Sequence, residues 1–429
     1  MRILIAGASG FIGSHVAAHL AARGHEIVGA ARDARWAAGR YHGVRWVEAD
    51  FRKKNDWAAH LEGVSAVINC VGVLQDGGAD STQAAHVDGA RALFDACERV
   101  GVRRVIQISA VGADPGAGTA YARSKHKGDA DLMARDLDWA VLKPSLVVAR
   151  NVYGGTALVR GLAGIPFATP VIASPGMFRP IHLRDACSAI ERLLSPDAPT
   201  RVVIDLAGPV EQTLPEVIAA HRAWLGFGRA RIWTVPKPLA DLAFALGDLL
   251  GVFGVRTSLK STSRAQMAHD VGGDPNLLTT NLGMNVRGGM EELAAEPAGV
   301  QDRWHARLYF VKPAARLLLA AFWMFTGIVC LTTGRDEAMA LACEAGLGRF
   351  DALAADLGGL FDIAIGAAFL FLAKRRRAIL ALMALVSIGY LAVLSVTLPW
   401  LWADPLGRLM KLLPFFALLA FVAAVEDER

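Results

Sequence analysis

After Pro313 the sequence stops reading as that of a water-soluble domain. Four apolar stretches follow, Ala314–Thr333, Leu353–Ala373, Ala378–Leu398 and Leu406–Val425. Each has about 20 residues, the length a helix needs to cross a hydrocarbon core of about 30 Å. Inside such a core every backbone polar group must be satisfied within the segment, so the stretches are expected to be helices. Buried helices of a soluble bundle would need polar faces, which these lack. Trp400 and Trp402 lie in a short loop, as interfacial aromatics do. Basic residues set the orientation. Arg303, Arg307 and Lys312 precede the first stretch, Lys374-Arg375-Arg376-Arg377 joins the second and third, and the loop Gly334–Ala352 is net acidic. The positive-inside rule then places the N-terminal part, the basic hairpin and the C-terminus in the cytoplasm. The expectation is a multi-pass inner-membrane protein in contact with lipid. Asp362 falls within the second stretch, where a carboxylate is either a functional site or a helix–helix hydrogen bonder.

Residues 1–300 mix charged and apolar residues as a globular domain does, with 301–313 as linker and 314–429 as an all-α membrane bundle. The mean hydropathy of +0.36 is thus concentrated at one end. A net charge of +5 without a basic, aromatic-interleaved stripe argues against a nucleic-acid partner. Cys70, Cys97, Cys187, Cys330 and Cys343 show no metal-ligand spacing, so no metal is expected, and the scatter suits a reducing compartment. Glycines interrupt the apolar N-terminus too early for a secretory signal.

Arg2–Ala6 reads as a buried strand, Phe11–Arg23 as a helix and Glu26–Ala30 as a second strand. The alternation continues through strands Val44–Glu48 and Ala66–Asn69, helix Thr82–Val100, strand Val105–Ser109, helix Tyr121–Arg135 and strand Ala140–Leu142. Such alternation implies an α/β doubly wound parallel sheet of the Rossmann type. Residues 200–300 are less regular and read as a small substrate lobe. Its apolar helix Leu239–Phe253, carrying Asp241 and Asp248, is too short to span a bilayer and is read as part of that lobe.

Between the first strand and helix lies Gly7-Ala8-Ser9-Gly10-Phe11-Ile12-Gly13. Gly7 permits the tight turn, Gly10 lets backbone approach a pyrophosphate, and Gly13 lets the helix sit close to the sheet. The N–H groups from Ser9 through Phe11, Ile12 and Gly13 are the expected phosphate donors. The second strand ends in Ala30-Ala31-Arg32-Asp33. An acid there suits a ribose 2′-hydroxyl and an arginine suits a 2′-phosphate, so Arg32 favours NADP(H) over NAD(H), with Asp33 the competing feature.

Tyr121-Ala122-Arg123-Ser124-Lys125 puts a phenol and an ammonium on one helical face. A neighbouring cation is expected to lower the tyrosine pKa, fitting it for proton exchange with a carbonyl or alcohol oxygen. Lys125 is further expected on the cofactor ribose. Ser109, twelve positions earlier, would orient the substrate oxygen.

These motifs resemble those of the short-chain dehydrogenase/reductase superfamily, in its extended and atypical branches. The resemblance rests on the glycine turn, Asp50-Phe51, Asn69-Cys70-Val71-Gly72, Ser109, Tyr121/Lys125, Lys143-Pro144-Ser145 and Arg179-Pro180-Ile181-His182-Leu183-Arg184-Asp185. It implies adenine contacts from Asp50 and Phe51, further cofactor contacts from Cys70, Val71, Gly72 and Pro144, and Ser109, Tyr121 and Lys125 as catalytic residues. His182 is read as a structural hydrogen bonder and Asp185 as a helix cap. The branch with the NADPH-binding accessory subunit of complex I is similar. The membrane part resembles the DoxX-like family. Together these imply an NAD(P)H-dependent oxidoreductase or epimerase-like enzyme acting on a carbonyl or alcohol, small or lipid-soluble. The alternative is a non-catalytic NADPH-binding assembly or sensor subunit with a membrane-complex partner.

Overall fold

The computed structural model describes residues 1–74, 76–77, 81–172, 175–252, 261, 265, 272–405 and 407–426. The chain divides into two compact units, Met1–Arg307 and Leu308–Arg429. Residues 301–313, expected as a linker, are helical within Val300–Leu331.

The first unit is built on seven parallel strands: β1 (Arg2–Ala6), β2 (Glu26–Ala31), β3 (Arg45–Glu48), β4 (Ala66–Asn69), β5 (Arg104–Ile108), β6 (Asp138–Pro144) and β7 (Val202–Leu206), in the order β7-β6-β5-β4-β1-β2-β3. Strand alternation divides the core between the two faces. Ile3 and Ile5 pack with α1 (Phe11–Ala21) and α4 (Leu183–Leu193), whereas Leu4 and Ala6 pack with α2 (Gly89–Val100). Each fully buried Ile or Leu among these stabilises the fold by roughly 1.5–3 kcal/mol. The helix expected over Thr82–Val100 opens with a π-helical segment, Ala84–Asp88. α3 (Ala120–Met133) precedes β6 and is capped by Thr119, whose hydroxyl accepts from the Ala122 N–H. β7 lies in the stretch read as lobe, yet it pairs along its length with β6.

The strand order reverses beside β1. Its neighbours are β2 on one side and β4 on the other, so helices leave to opposite faces and the carboxyl ends part to leave a crevice. Gly7 stands there with φ +74°, and a Cβ on it would lie 3.1 Å from the Cys70 and Val71 backbone beyond β4. A Cβ on Gly13 would drive into the Gly7 carbonyl.

In the second unit three helical stretches are long and apolar enough to cross a membrane: Val300–Leu331, Arg335–Phe371 and Ala373–Thr397. We label their main helices α5 (Val300–Leu331), α6 (Asp351–Phe371) and α7 (Arg376–Thr397). The fourth expected span is shorter: α8 covers only Leu412–Ala424. Composition counts apolar residues, but Pro405, Gly407, Arg408 and Lys411 delay the helix.

Polar contacts nonetheless set these four helices antiparallel. At one end Glu426, just past α8, accepts from Arg316 at 2.8 and 2.6 Å and lies 3.5 Å from Arg376 at the start of α7. Arg376 also donates to the Phe369 carbonyl near the end of α6. At the other end the Trp400 indole donates to Glu344, and Leu398, Leu401 and Leu409 pack together beside Leu341 and Leu412. Close approach of α5 and α6 requires glycine, because a Cβ on Gly327 would strike the Gly359 carbonyl. Outward apolar residues such as Leu318, Phe325, Leu357 and Leu385 stay exposed, as lipid-facing residues do. Asp362 is buried in α6, and its Oδ1 has no hydrogen-bond partner among the described residues.

Candidate active site

The turn after β1 is held by its own backbone. The Gly7 N–H donates to the Ala30 carbonyl at 3.0 Å and the Gly10 N–H to the Gly7 carbonyl at 2.9 Å. Gly10 is the N-cap of α1, and no side chain caps that helix. The amides of Phe11, Ile12 and Gly13 open the helix without a side-chain acceptor, which is the donor set an anionic pyrophosphate needs. The cradle suits a dinucleotide through these uncapped amides, while Gly7 and Gly13 let the turn close against the Cys70–Val71 backbone and the start of α1.

Around this cradle the structure sorts the remaining expected contacts. Cys70, Val71 and Gly72 continue from β4 beside Gly7, with the Cys70 N–H donating to the Ala6 carbonyl at 2.9 Å. Burial pushes the Cys70 thiol up to about 12, so it is inert as a nucleophile. Pro144 ends β6, where its carbonyl accepts from the Val111 N–H. Arg32 is exposed at the end of β2. Asp33 is occupied as a helix cap, accepting from the Trp36 N–H at 2.8 Å. Asp50 accepts from Arg52 at 2.8 and 2.6 Å, which holds its carboxyl below the usual range. Phe51 is buried edge-on against Trp57 at 5.4 Å between centroids.

The group on α3 differs from the expected pair. Lys125 is buried and its ammonium donates to the Val71 carbonyl at 3.0 Å and the Ile108 carbonyl at 2.8 Å. It ties the end of β4 to the end of β5. An ammonium has three N–H groups, so one remains. Burial brings the amine down to about 8, partly opposed by Asp129. The Tyr121 phenol is not lowered as the spacing suggested. Burial, then the Asp129 charge, pushes it up to about 12, so it is a protonated acid at neutral pH.

Two residues that sequence reasoning missed complete the group. Asp129, one turn beyond Lys125, accepts a short hydrogen bond from the Ser109 hydroxyl. It is almost wholly buried, its Oδ1 has no hydrogen-bond partner among the described residues, and burial raises its pKa. The i, i+4, i+8 spacing of Tyr121, Lys125 and Asp129 was the available signal. His86, in the π-helical turn, packs edge-on against Tyr121 at 5.5 Å. Its Nε2 accepts from the Val73 N–H at 2.9 Å, so in the neutral ring Nδ1 carries the proton and donates to the Ser124 hydroxyl at 2.8 Å. The Ser124 hydroxyl itself donates to the Tyr121 carbonyl at 2.9 Å. Burial lowers His86 to about 2, keeping it neutral.

The other motif residues have structural partners. His182 caps α4, its Nδ1 accepting from the Arg184 N–H at 3.3 Å. Asp185 lies in the first turn and is not the cap, and burial raises it to about 6.

Two family models match the chain. Residues 7–163 match the NAD(P)H-binding family and residues 320–420 the DoxX-like family. An uncharacterised Mycobacterium tuberculosis protein is 25% identical over 224 residues, 51% of this chain and 23% of that protein. The chain thus spans about a quarter of that mycobacterial relative. The mitochondrial NADH-ubiquinone oxidoreductase 40 kDa subunit of Neurospora crassa is 23% identical over 219 residues, 49% of this chain and 56% of the subunit. Sterol demethylase protein B of Methylococcus capsulatus is 26% identical over 265 residues, 57% and 80% respectively. Among solved structures, MoeE5 in complex with UDP-glucose and NAD superposes with a TM-score of 0.54 at 18% identity, covering 72% of this chain and 100% of that one. The first unit therefore has the epimerase-like Rossmann fold.

An ordinary carboxyl titrates near 4. With Asp129 raised in the folded state, the stability its neutral form contributes is complete below that value and is lost as pH rises through the folded pKa. Asp129→Asn keeps an acceptor for Ser109 without the charge. Its melting temperature should exceed that of the unaltered chain at pH 8 and converge on it at pH 4, as thermal scans across pH would record.

Proposed function

We propose that this chain, which carries an NAD(P)-binding Rossmann domain and a DoxX-like membrane domain, is a membrane-anchored NADP(H)-dependent oxidoreductase or epimerase-like enzyme. Its substrate is a carbonyl or alcohol, with lipid-soluble molecules favoured by the membrane unit. The observation that carries this reading is the gathering of Ser109, Tyr121, Lys125 and Asp129 on β5 and α3, next to the glycine cradle. The amides of Phe11 to Gly13 would hold the pyrophosphate, and Arg32 a 2′-phosphate, since Asp33 is engaged as a cap. A bound nicotinamide supplies hydride transfer.

The side chains supply the proton chemistry. Tyr121, protonated at neutral pH, gives its proton to a substrate oxygen or takes one back. Lys125 spends two N–H groups on the strand ends and keeps one for a cofactor hydroxyl. Ser109 has a single proton. While Asp129 is ionised that proton is committed, so Ser109 meets the substrate as an acceptor and selects an alcohol O–H. When Asp129 is protonated, Ser109 is released to donate to a carbonyl.

The second reading, a non-catalytic NADPH-binding subunit of a membrane assembly, is favoured by the likeness to the Neurospora subunit. Tyr121→Phe separates the two. Given a substrate panel of aliphatic, sterol and sugar-nucleotide alcohols, the unaltered chain should reduce NADP+. The variant should lose about 10²–10⁴-fold in turnover while NADPH binding, read by fluorescence, changes little. Turnover unchanged in the variant contradicts the role of Tyr121, and none in the unaltered chain favours the assembly reading.

The antiparallel order of the four helices puts both termini and the Lys374–Arg377 turn at one end of the bundle, and the basic residues there favour the cytoplasmic side. Cys343, exposed in the π-helical turn Cys343–Leu347 before α6, then faces outward. An impermeant maleimide should label it in intact cells, whereas a cysteine placed by Lys374→Cys should react only after lysis. The opposite pattern inverts the topology.

A further inference from the structure

Outside the site, the first unit exposes apolar surface that its own core does not use. The strand Arg231–Thr234 pairs in parallel with Ala168–Val171, and the Arg231 N–H donates to the Phe167 carbonyl at 3.1 Å. Phe167 is 89% exposed and sits at φ +67°, a conformation that bulky residues rarely adopt. Ile232 and Trp233 are more than half exposed on the neighbouring strand. Pro236 then starts the helix Lys237–Val252, which buries Ala240 and Phe244 and turns Leu239, Leu242 and Leu246 outward.

We propose that this ribbon and helix form a membrane-inserting surface whose partner is the acyl–headgroup boundary of a phospholipid bilayer. The geometry favours a lipid over a protein. Successive residues of a strand point to opposite faces, so Ile232 and Trp233 leave on opposite sides of the ribbon. A flat protein partner covers one side only, whereas a fluid medium surrounds both. Leu239, Leu242 and Leu246 follow i, i+3, i+7 spacing and form one outward stripe, as on a helix lying in an interface. Trp233 is a residue type that settles at headgroup depth, and Phe167 one that inserts with the apolar face. Arg229, Arg231 and Lys237 flank the patch and complement anionic headgroups.

The chain also brings its partner with it. A unit joined covalently to membrane-spanning helices meets a bilayer at a high effective concentration, so modest insertion is enough to be populated. The helix that was too short to span is suited to lie along the surface. This contact would hold the first unit against the membrane, where an apolar substrate is dissolved, but the inference does not depend on catalysis.

The test places the photocrosslinker p-benzoylphenylalanine at Leu242 or, separately, at Trp233 in the full chain. The protein is reconstituted in nanodiscs of phosphatidylethanolamine and phosphatidylglycerol, 3:1. Both positions are exposed, so the fold should tolerate the change, and unaltered circular dichroism checks it. Irradiation followed by mass spectrometry should find phospholipid adducts at both positions and none with the probe at exposed Arg99. Crosslinks to a second copy of the chain would overturn the proposal in favour of self-association. No adduct at either position, with the benzophenone recovered intact, would show a solvated surface and overturn it as well.

Discussion

The first unit depends on a buried ammonium. Lys125 leaves water and is compensated by the Val71 and Ile108 carbonyls, the backbone ends of two adjacent central strands. An uncompensated charge there would be costly. The contacts that satisfy it also fix α3 over the crevice and bring Tyr121, Ser109 and Asp129 together. Lys125 favours the ionised Asp129 while burial opposes it, and Asp129 in turn favours the charged amine that burial disfavours. A cluster of this kind titrates as a unit. Tyr121 lies beside it, and burial with the Asp129 charge holds its phenol protonated and makes it a weaker acid than a free tyrosine.

The second unit solves a comparable problem with a full ion pair. Glu426 meets Arg316 and approaches Arg376 at one end of the bundle, drawing three helices together where apolar packing alone would not specify which ends meet. At the opposite end the contact of Trp400 with Glu344 and the leucine cluster close the loops. Between them glycines bring α5 and α6 into near-backbone contact, the small-residue packing that apolar surroundings favour.

Features legible in the sequence were those whose signal is local. The glycine turn, the alternation of strands and helices and the apolar stretches each declare themselves within a short window, and the parallel sheet followed from them. Burial was not legible. Tyr121 and Lys125 suggested a cation lowering a phenol, but desolvation dominates both and moves the phenol the other way. Asp129 reads like any helical acid until tertiary packing encloses it, and His86 becomes a link only through the Val73 amide and Ser124. β7 escaped notice because Asp205 breaks its apolar run, although pairing with β6 places it in the main sheet. The last span was overestimated because average hydropathy ignores where Pro405 and Gly407 let a helix begin.

We propose that the glycine cradle and Arg32 make this chain a receptor for a dinucleotide bearing a 2′-phosphate. Equilibrium titration of NADPH and NADH onto the full chain in nanodiscs, with Arg32→Ala alongside, checks this. Both should bind saturably, NADPH more tightly, with the gap narrowed in the variant. Equal affinities would contradict the role of Arg32, and binding of neither would contradict the site itself.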